Sequence, residues 1–262
     1  MLFSYICKIS NCSMLKEERF QLILEQLNQE QKVQLGQLSD LLKVSEDTVR
    51  RDIKELADRG LLKSVRGGAV PHSPGPHHFR DRIGYGSEQK QIIANKALQF
   101  LQDGQVVIFD GGTSALLIAQ SLPKDIRLTV VTNSFPIANI LEEHEKVEVL
   151  FAGGRLMKNS FVTVGNETIQ FFRRFRADIC LLGICSIHAE LGVTGPDYEE
   201  SDVKRAMIES SREVIALSTI EKLGTAEAYY VCPTNQLTTI VTDQPDEREE
   251  FTIYREIGIK MV

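Results

Sequence analysis

Residues 44–56 read VSEDTVRRDIKEL, and the spacing within them decides the first domain. Val49, Ile53 and Leu56 recur at i, i+4 and i+7, the repeat of one helix face turned toward a core. Ser45, just ahead of this run, has a hydroxyl suited to accept from the free N–H groups of a first helical turn. Glu46 and Asp47 follow where carboxylates favour the positive helix end. With that apolar face buried, Thr48, Arg51, Lys54 and in part Arg50 project outward. A chain of formal net charge −6 thereby displays cations along one short ridge. Asp52, beside the arginine pair, is expected to hold one arginine in place through an ion pair.

Upstream, Phe20, Ile23, Leu24 and Leu27 mark one face of an earlier helix. Val33, Leu35, Leu38, Leu41 and Leu42 predict a short extended piece running into a second helix, and Lys43-Val44 a tight turn. Downstream, LLKSVRGGAVP (61–71) reads as a β-hairpin around a Gly-Gly turn, with Lys63 and Arg66 near its tip. Two helices joined by a tight turn and followed by such a hairpin make a winged helix-turn-helix, the second helix presented to a DNA groove and the wing to the adjacent backbone. Arginine forks onto guanine O6 and N7 or onto phosphate, and hydroxyls suit phosphate or base edges. The expected DNA-binding residues are therefore Ser45, Thr48, Arg50, Arg51, Lys54, Lys63 and Arg66.

Charge is unevenly divided. Residues 1–70 hold 11 Lys+Arg against 10 Asp+Glu, and the remainder holds 19 against 26. Six of the basic residues fall within 48–70, a local concentration that fits a nucleic-acid face better than a membrane surface. Hydrophobic residues at 42% and charged residues at 25% are ordinary for a globular chain. No apolar run approaches the roughly 20 residues that span a bilayer. The opening MLFSYICKISNCS lacks the basic start and long apolar core of a signal peptide. Helical patterning begins at Met14, so 1–13 is expected to be a disordered extension or a misassigned start. Five cysteines without repeated spacing predict reduced thiols in a cytoplasmic protein rather than a zinc or redox site.

Residues 71–87, PHSPGPHHFRDRIGYGS, hold three prolines and three glycines and read as a linker between a DNA-binding domain at 14–70 and a larger domain at 88–262. His72, His77 and His78 have no cysteine or ordered acidic partner nearby, and no metal site is expected there. In the larger domain QVVIFD, RLTVVT, VEVLF, DICLLG, EVIALS and TTIVT read as strands alternating with helical segments. That alternation predicts a Rossmann-like, mostly parallel α/β sheet covered on both faces, with ligands bound beyond the strand carboxyl ends. Polar and glycine residues gather there. Asp110 ends the first strand and suits sugar hydroxyls; Gly111 and Gly112 let the backbone approach an anion; Thr113 and Ser114 sit at a helix N-terminus, where free N–H groups favour phosphate. Thr132 and Asn133 end the second strand, and Gly153, Gly154 and Arg155 the third. Three consecutive strand ends of this kind predict one polar cleft.

Arg19-x3-Ile23-x3-Leu27, then seventeen residues, then Ser45-x2-Thr48-Val49-Arg50-Arg51-Asp52-Ile53 resembles the helix-turn-helix of the DeoR family of bacterial transcription regulators, and GLLKSVRGGAV resembles its wing. The larger domain is similar to the same family's effector domain, related to ribose-5-phosphate isomerase and glucosamine-6-phosphate deaminase folds, through DGGTS, VVTNS, AGGR, KRAMIESS and EKLG. The chain departs from the family pattern at Lys43, where glycine is usual, at Ser39 for alanine, and at Thr219 for aspartate. The resemblance implies a repressor of carbohydrate-metabolism genes, relieved by a phosphorylated sugar, with DGGTS on the phosphate and Lys222 as a counter-charge. Partners implied are a double-stranded DNA operator and further copies of the chain, as a dimer or tetramer; no cofactor is implied. The competing reading is a sugar-phosphate isomerase or deaminase carrying a DNA-binding domain. It needs a positioned general base, and neither the carboxylates Asp110, Asp178, Glu199 and Glu200 nor His144 and His188 fall in a stretch matching the isomerases' acidic motif. No enzymatic activity is expected.

Overall fold

The computed structural model describes residues 14–30, 32–59, 61–71, 75–76 and 78–262. The expectations for residues 1–13 and for His72 and His77 lie outside them. The chain divides into two compact units, 1–72 and 73–262.

The first unit runs α1 (Lys16–Glu30), β1 (Val33–Gln34), α2 (Leu35–Leu42), α3 (Glu46–Asp58), β2 (Lys63–Val65) and β3 (Gly68–Val70). Phe20, Ile23 and Leu27 of α1, Leu38 and Leu42 of α2, and Val49, Ile53 and Leu56 of α3 close one core with Val33, Leu62 and Ala69. Each such large apolar side chain contributes roughly 1.5–3 kcal/mol on burial. Leu41, by contrast, is exposed. The turn between α2 and α3 places Lys43 at φ 55, ψ 38, a left-handed backbone that costs about 1–2 kcal/mol in a residue with a Cβ. Ser39 offsets part of this cost, since its hydroxyl donates to the Val44 carbonyl at 2.7 Å while its own carbonyl accepts from the Val44 N–H. The strands pair in the order β1-β3-β2. Gly68 is needed there because a Cβ would fall 1.8 Å from the Val33 carbonyl oxygen.

The second unit opens with α4 (Phe79–Gly84) and α5 (Ser87–Ala97), then β4 (Val106–Phe109), α6 (Thr113–Gln120), β5 (Leu128–Thr132), α7 (Phe135–Leu141) and β6 (Val147–Phe151). A hairpin of β7 (Arg155–Met157) and β8 (Val162–Val164) leads to α8 (Asn166–Phe172), β9 (Ala177–Gly183), β10 (Ser186–His188) and β11 (Gly192–Gly195). The chain finishes with α9 (Tyr198–Glu209), β12 (Ser211–Leu217), β13 (Tyr229–Cys232), β14 (Thr239–Val241), α10 (Thr252–Glu256) and β15 (Lys260–Met261).

Seven strands form one sheet in the order β15-β14-β12-β9-β4-β5-β6, all parallel. Alternate residues serve opposite faces. Ile179 and Leu181 of β9 join the core that includes α5, α6 and α7, while Cys180 and Leu182 join the core that includes α8 and α9. Two buried faces explain why the strands read as unbroken apolar runs. The chain builds outward from β4 through β5 to β6, then returns to lay β9 on the other side of β4. The strand order therefore reverses between β4 and β9, the kind of place where open parallel sheets bind ligands.

Candidate functional site

On the first unit, Ser45 caps α3: its Oγ accepts from the Thr48 N–H at 3.3 Å and lies 3.0 Å from the Thr48 hydroxyl. Arg51 and Lys54 are exposed on α3, and neither has an ion-pair partner among the described residues. Arg50 is exposed too, but bonds to Asp47 at 2.5 Å. Asp52 holds neither arginine, contrary to expectation. It is 3% exposed and accepts from Arg19 Nε at 2.6 Å and a terminal Arg19 nitrogen at 3.1 Å. The reason is register: Asp52 shares the inward side of α3 with Val49, Ile53 and Leu56, so it meets α1. That hydrogen bond raises the Arg19 pKa against a smaller loss from burial. The pair clamps α1 to α3 and leaves the outer ridge cationic.

The hairpin turns at Arg66-Gly67, one residue earlier than expected, with Gly67 at φ 85. Leu35 N–H donates to the Gly67 carbonyl at 2.9 Å, which ties the tip to the start of α2. Arg66 is at this tip. Lys63 is not: it pairs across from Val70 at the open end of the hairpin.

On the second unit, a small cavity that opens to solvent lies at the carboxyl ends of β4, β9 and β12, lined by Gly111–Ser114, Gly183–Cys185 and Leu217, Thr219, Glu221 and Lys222. Of the expected effector residues, Gly111, Gly112, Thr113, Ser114 and Lys222 meet here. Gly111 is fixed by packing, since a Cβ would meet the Val162 side chain at 2.1 Å; at Gly112 a Cβ meets nothing within 4 Å. Asp110 lies beneath, turned to a different task. Its carboxylate accepts from the Gly183 N–H at 2.8 Å and from the Lys204 ammonium, bracing β4 to β9. Burial lowers the Lys204 pKa, but Asp110 and Glu200 outweigh it and hold the ammonium above its ordinary value.

The remaining expected residues are placed elsewhere. Thr132 donates to the Phe109 carbonyl at 2.7 Å, and Asn133 to the Thr163 carbonyl at 2.7 Å. A Cβ on Gly154 would clash with Thr168 and the Val164 carbonyl, and Gly153 accepts from the Thr168 hydroxyl. Arg155 is exposed and pairs with Glu199. The β7-β8 hairpin accounts for all of this, because it folds over the tips of β5 and β6. Val162 bridges to Ser134 and presses on Gly111, so the second and third strand ends are plugged. The cleft forms on the β9 side instead.

Other lining residues escape a sequence reading. Arg82 of α4 and Tyr85 line the same space although 71–87 reads as linker, and so does Lys90 of α5. Arg82 Nε and one terminal nitrogen are buried with no hydrogen-bond partner among the described residues. Lys90 donates to the carbonyls of Arg82 and Tyr85, and its pKa is pushed down to about 8, first by burial and then by the charges of Lys222 and Arg82. Burial likewise lowers Lys222, whose ammonium donates to the Ile184 carbonyl at 2.9 Å. The carboxylate at the rim, Glu221, accepts from the Tyr85 hydroxyl at 2.8 Å. Crowded, partly desolvated cations beside a helix N-terminus make a site for an anion. Among the described residues no cluster of His, Cys, Asp and Glu is placed to hold a metal, and no helix is long and apolar enough to cross a membrane.

Residues 86–244 match the family described as the DeoR C terminal sensor domain, and residues 19–74 match the DeoR-like helix-turn-helix domain. The chain is 34% identical to the HTH-type transcriptional regulator GlpR of Haloferax volcanii, over 91% of this chain and 95% of that one. It is 33% identical to the HTH-type transcriptional repressor GlcR of Bacillus subtilis, over 88% and 90%. It is 31% identical to the glycerol-3-phosphate regulon repressor of Escherichia coli, over 88% and 92%. A capped cationic helix beside a wing, a parallel sheet with a cationic cavity at its switch point and these matches over both units agree: the chain belongs to the DeoR family of transcriptional regulators.

Proposed function

We propose that this regulator represses genes of carbohydrate metabolism by binding a double-stranded DNA operator as a homo-oligomer, and that a phosphorylated sugar relieves repression. The observation that carries the effector class is the Arg82 guanidinium, with two buried nitrogens lacking hydrogen-bond partners among the described residues, in one cavity with Lys90, Lys222 and the N-terminus of α6. A phosphate dianion there satisfies the guanidinium donors, accepts from Thr113, Ser114 and free N–H groups, and relieves the repulsion among the cations. Glu221, at the rim, suits the hydroxyls of the attached sugar. The name of the E. coli relative, a glycerol-3-phosphate regulon repressor, agrees with a small phosphate ester as the controlling chemistry.

DNA is read by Thr48, Arg51 and Lys54 on α3, with Ser45 and Arg50 at its first turns, Arg66 on the wing and Lys63 along the flanking backbone. Two-fold DNA sites call for paired reading heads. Release requires that the effector prefer the DNA-free state, because tight binding alone shifts nothing. Catalysis is not favoured. An isomerase needs a carboxylate free to take a proton, and here Asp110 is engaged by Lys204 and Gly183 while Glu200 accepts from Ser160 at 2.8 Å.

Replacing Gly112 by leucine tests the site. The added side chain enters the cavity beside the α6 N-terminus, so DNA binding stays unchanged while sugar-phosphate release, read by gel shift, is lost. A Gly112→Leu chain released as readily as the unmodified one places the phosphate elsewhere.

A further inference from the structure

Arg82 reaches the cavity from α4, the first helix of the second unit, at the point where the chain arrives from the DNA-binding unit. This short helix is anchored at its start to the 159–161 turn and at its end to Lys90 of the cavity wall. At its start, Phe79 N–H donates to the Asn159 carbonyl at 2.7 Å, the Phe79 ring lies 5.9 Å from that of Phe161, and the Arg80 guanidinium lies 5.6 Å from the same Phe161 ring. The turn that receives it is strained, with Phe161 at φ 55, and is joined to the cavity through Ser160 and Glu200. At its end, buried Lys90 holds the carbonyls of Arg82 and Tyr85, a cation where the helix dipole is negative. Between these anchors the Arg82 guanidinium lies over the Phe79 ring, and two of its nitrogens are buried with no hydrogen-bond partner among the described residues.

Resting on the anion reading above, we propose that α4 is a ligand-read strap. An anion in the cavity engages the two Arg82 donors and fastens α4 where Lys90 and the 159–161 turn already hold it, and the fastened helix favours the DNA-free state. Lys90 is the positioning residue: it aims Arg82 by holding the carbonyls around it. In this scheme Thr113, Ser114 and Lys222 hold the anion, and Arg82 reports that it is there.

The test is hydrogen exchange read by mass spectrometry on the full chain, with and without saturating inorganic phosphate or glucose 6-phosphate, alongside DNA release. In the unmodified chain, exchange slows at 111–116 and at 78–86 together, about fivefold or more. Arg82→Gln binds the anion more weakly, so ligand is raised until 111–116 is again fully slowed; at that saturation the slowing is absent from 78–86 and DNA release is lost. Lys90→Met gives the same separation; if that variant folds poorly, Arg82→Gln decides alone. Equal slowing at 78–86 in Arg82→Gln overturns the strap, as does slowing confined to 111–116 in the unmodified chain. Loss of slowing in both segments of Arg82→Gln reduces Arg82 to a ligand and also overturns it. No slowing at 111–116 in any chain refutes the anion site itself and the strap with it.

Discussion

On α3, Arg51 and Lys54 stand in solvent above a core of Val49, Ile53 and Leu56, whereas Arg82, Lys90 and Lys222 converge inside a cavity where burial lowers the charge preference of both lysines. The difference matches two kinds of anion. DNA is a long polyanion whose condensed counterions are released by exposed cations, so a water-exposed ridge suffices and its grip weakens with salt. A small phosphate ester offers two charges and few contacts. Desolvated donors strengthen each contact, because the same pair of charges attracts more strongly at lower effective dielectric. The ridge leaves Arg51 and Lys54 without an ion-pair partner among the described residues by turning Asp52 inward onto Arg19. The cavity gives Lys204 both Asp110 and Glu200 while two Arg82 nitrogens have no hydrogen-bond partner among the described residues.

The largest break of this contrast removes a buried charge. Lys204→Met strips Asp110 of its counter-charge and is expected to destabilise the second unit by about 3–5 kcal/mol, read as a lowered melting temperature by calorimetry. A loss below about 1 kcal/mol means that Asp110 is solvated and the brace between β4 and β9 is weak. Next comes the ridge. Arg51→Ala is expected to lower affinity for the specific DNA site by about 1–3 kcal/mol while changing stability by no more than about 0.5 kcal/mol. An unchanged footprint takes Arg51 off the reading face.

The smallest effect is the pH response, which sharpens the comparison from the cavity side. Lys90 has a pKa near 8, and an added anion raises it. Below that pH the ammonium is protonated with or without ligand, so its ionisation leaves phosphate affinity unchanged. Above it the free protein loses the proton and binding takes one back, so affinity falls as pH rises, by at most about tenfold per unit. The groups that set this are Lys222, Arg82 and Glu221. Calorimetry in buffers of different ionisation heat reads the uptake; binding without proton uptake near pH 8.5 removes Lys90 from the site.

The first unit was legible because its signals are local. Val49, Ile53 and Leu56 mark the buried face, Ser45 the cap and Gly67 the turn, all within one stretch of chain. What escaped there was a contact between helices distant in sequence, Arg19 with Asp52. The six main strands were legible for the same reason, as apolar runs between turns. The cavity was only half legible. DGGTS follows a strand and opens a helix, a local pattern, so Gly111–Ser114 could be placed. The strand order is not local. Nothing in VVTNS or AGGR tells that β9 lies against β4 on one side while a hairpin caps β5 and β6. Arg82 escaped because a proline- and glycine-rich composition hides a short helix whose importance comes from where it docks, and Lys90 because nothing local tells that its face of α5 meets that helix.

The most direct measurement is the affinity of the purified full chain for DNA fragments selected by its own footprint, titrated in parallel with sugar phosphates and with the same sugars lacking phosphate. Weakening of DNA affinity by at least one phosphate ester, about fivefold or more, unmatched by its neutral sugar and abolished in Gly112→Leu, is the expected result. DNA affinity indifferent to every phosphate ester, or lowered equally by the neutral sugars, contradicts control of the α3 ridge by an anion in the β4-β9 cavity.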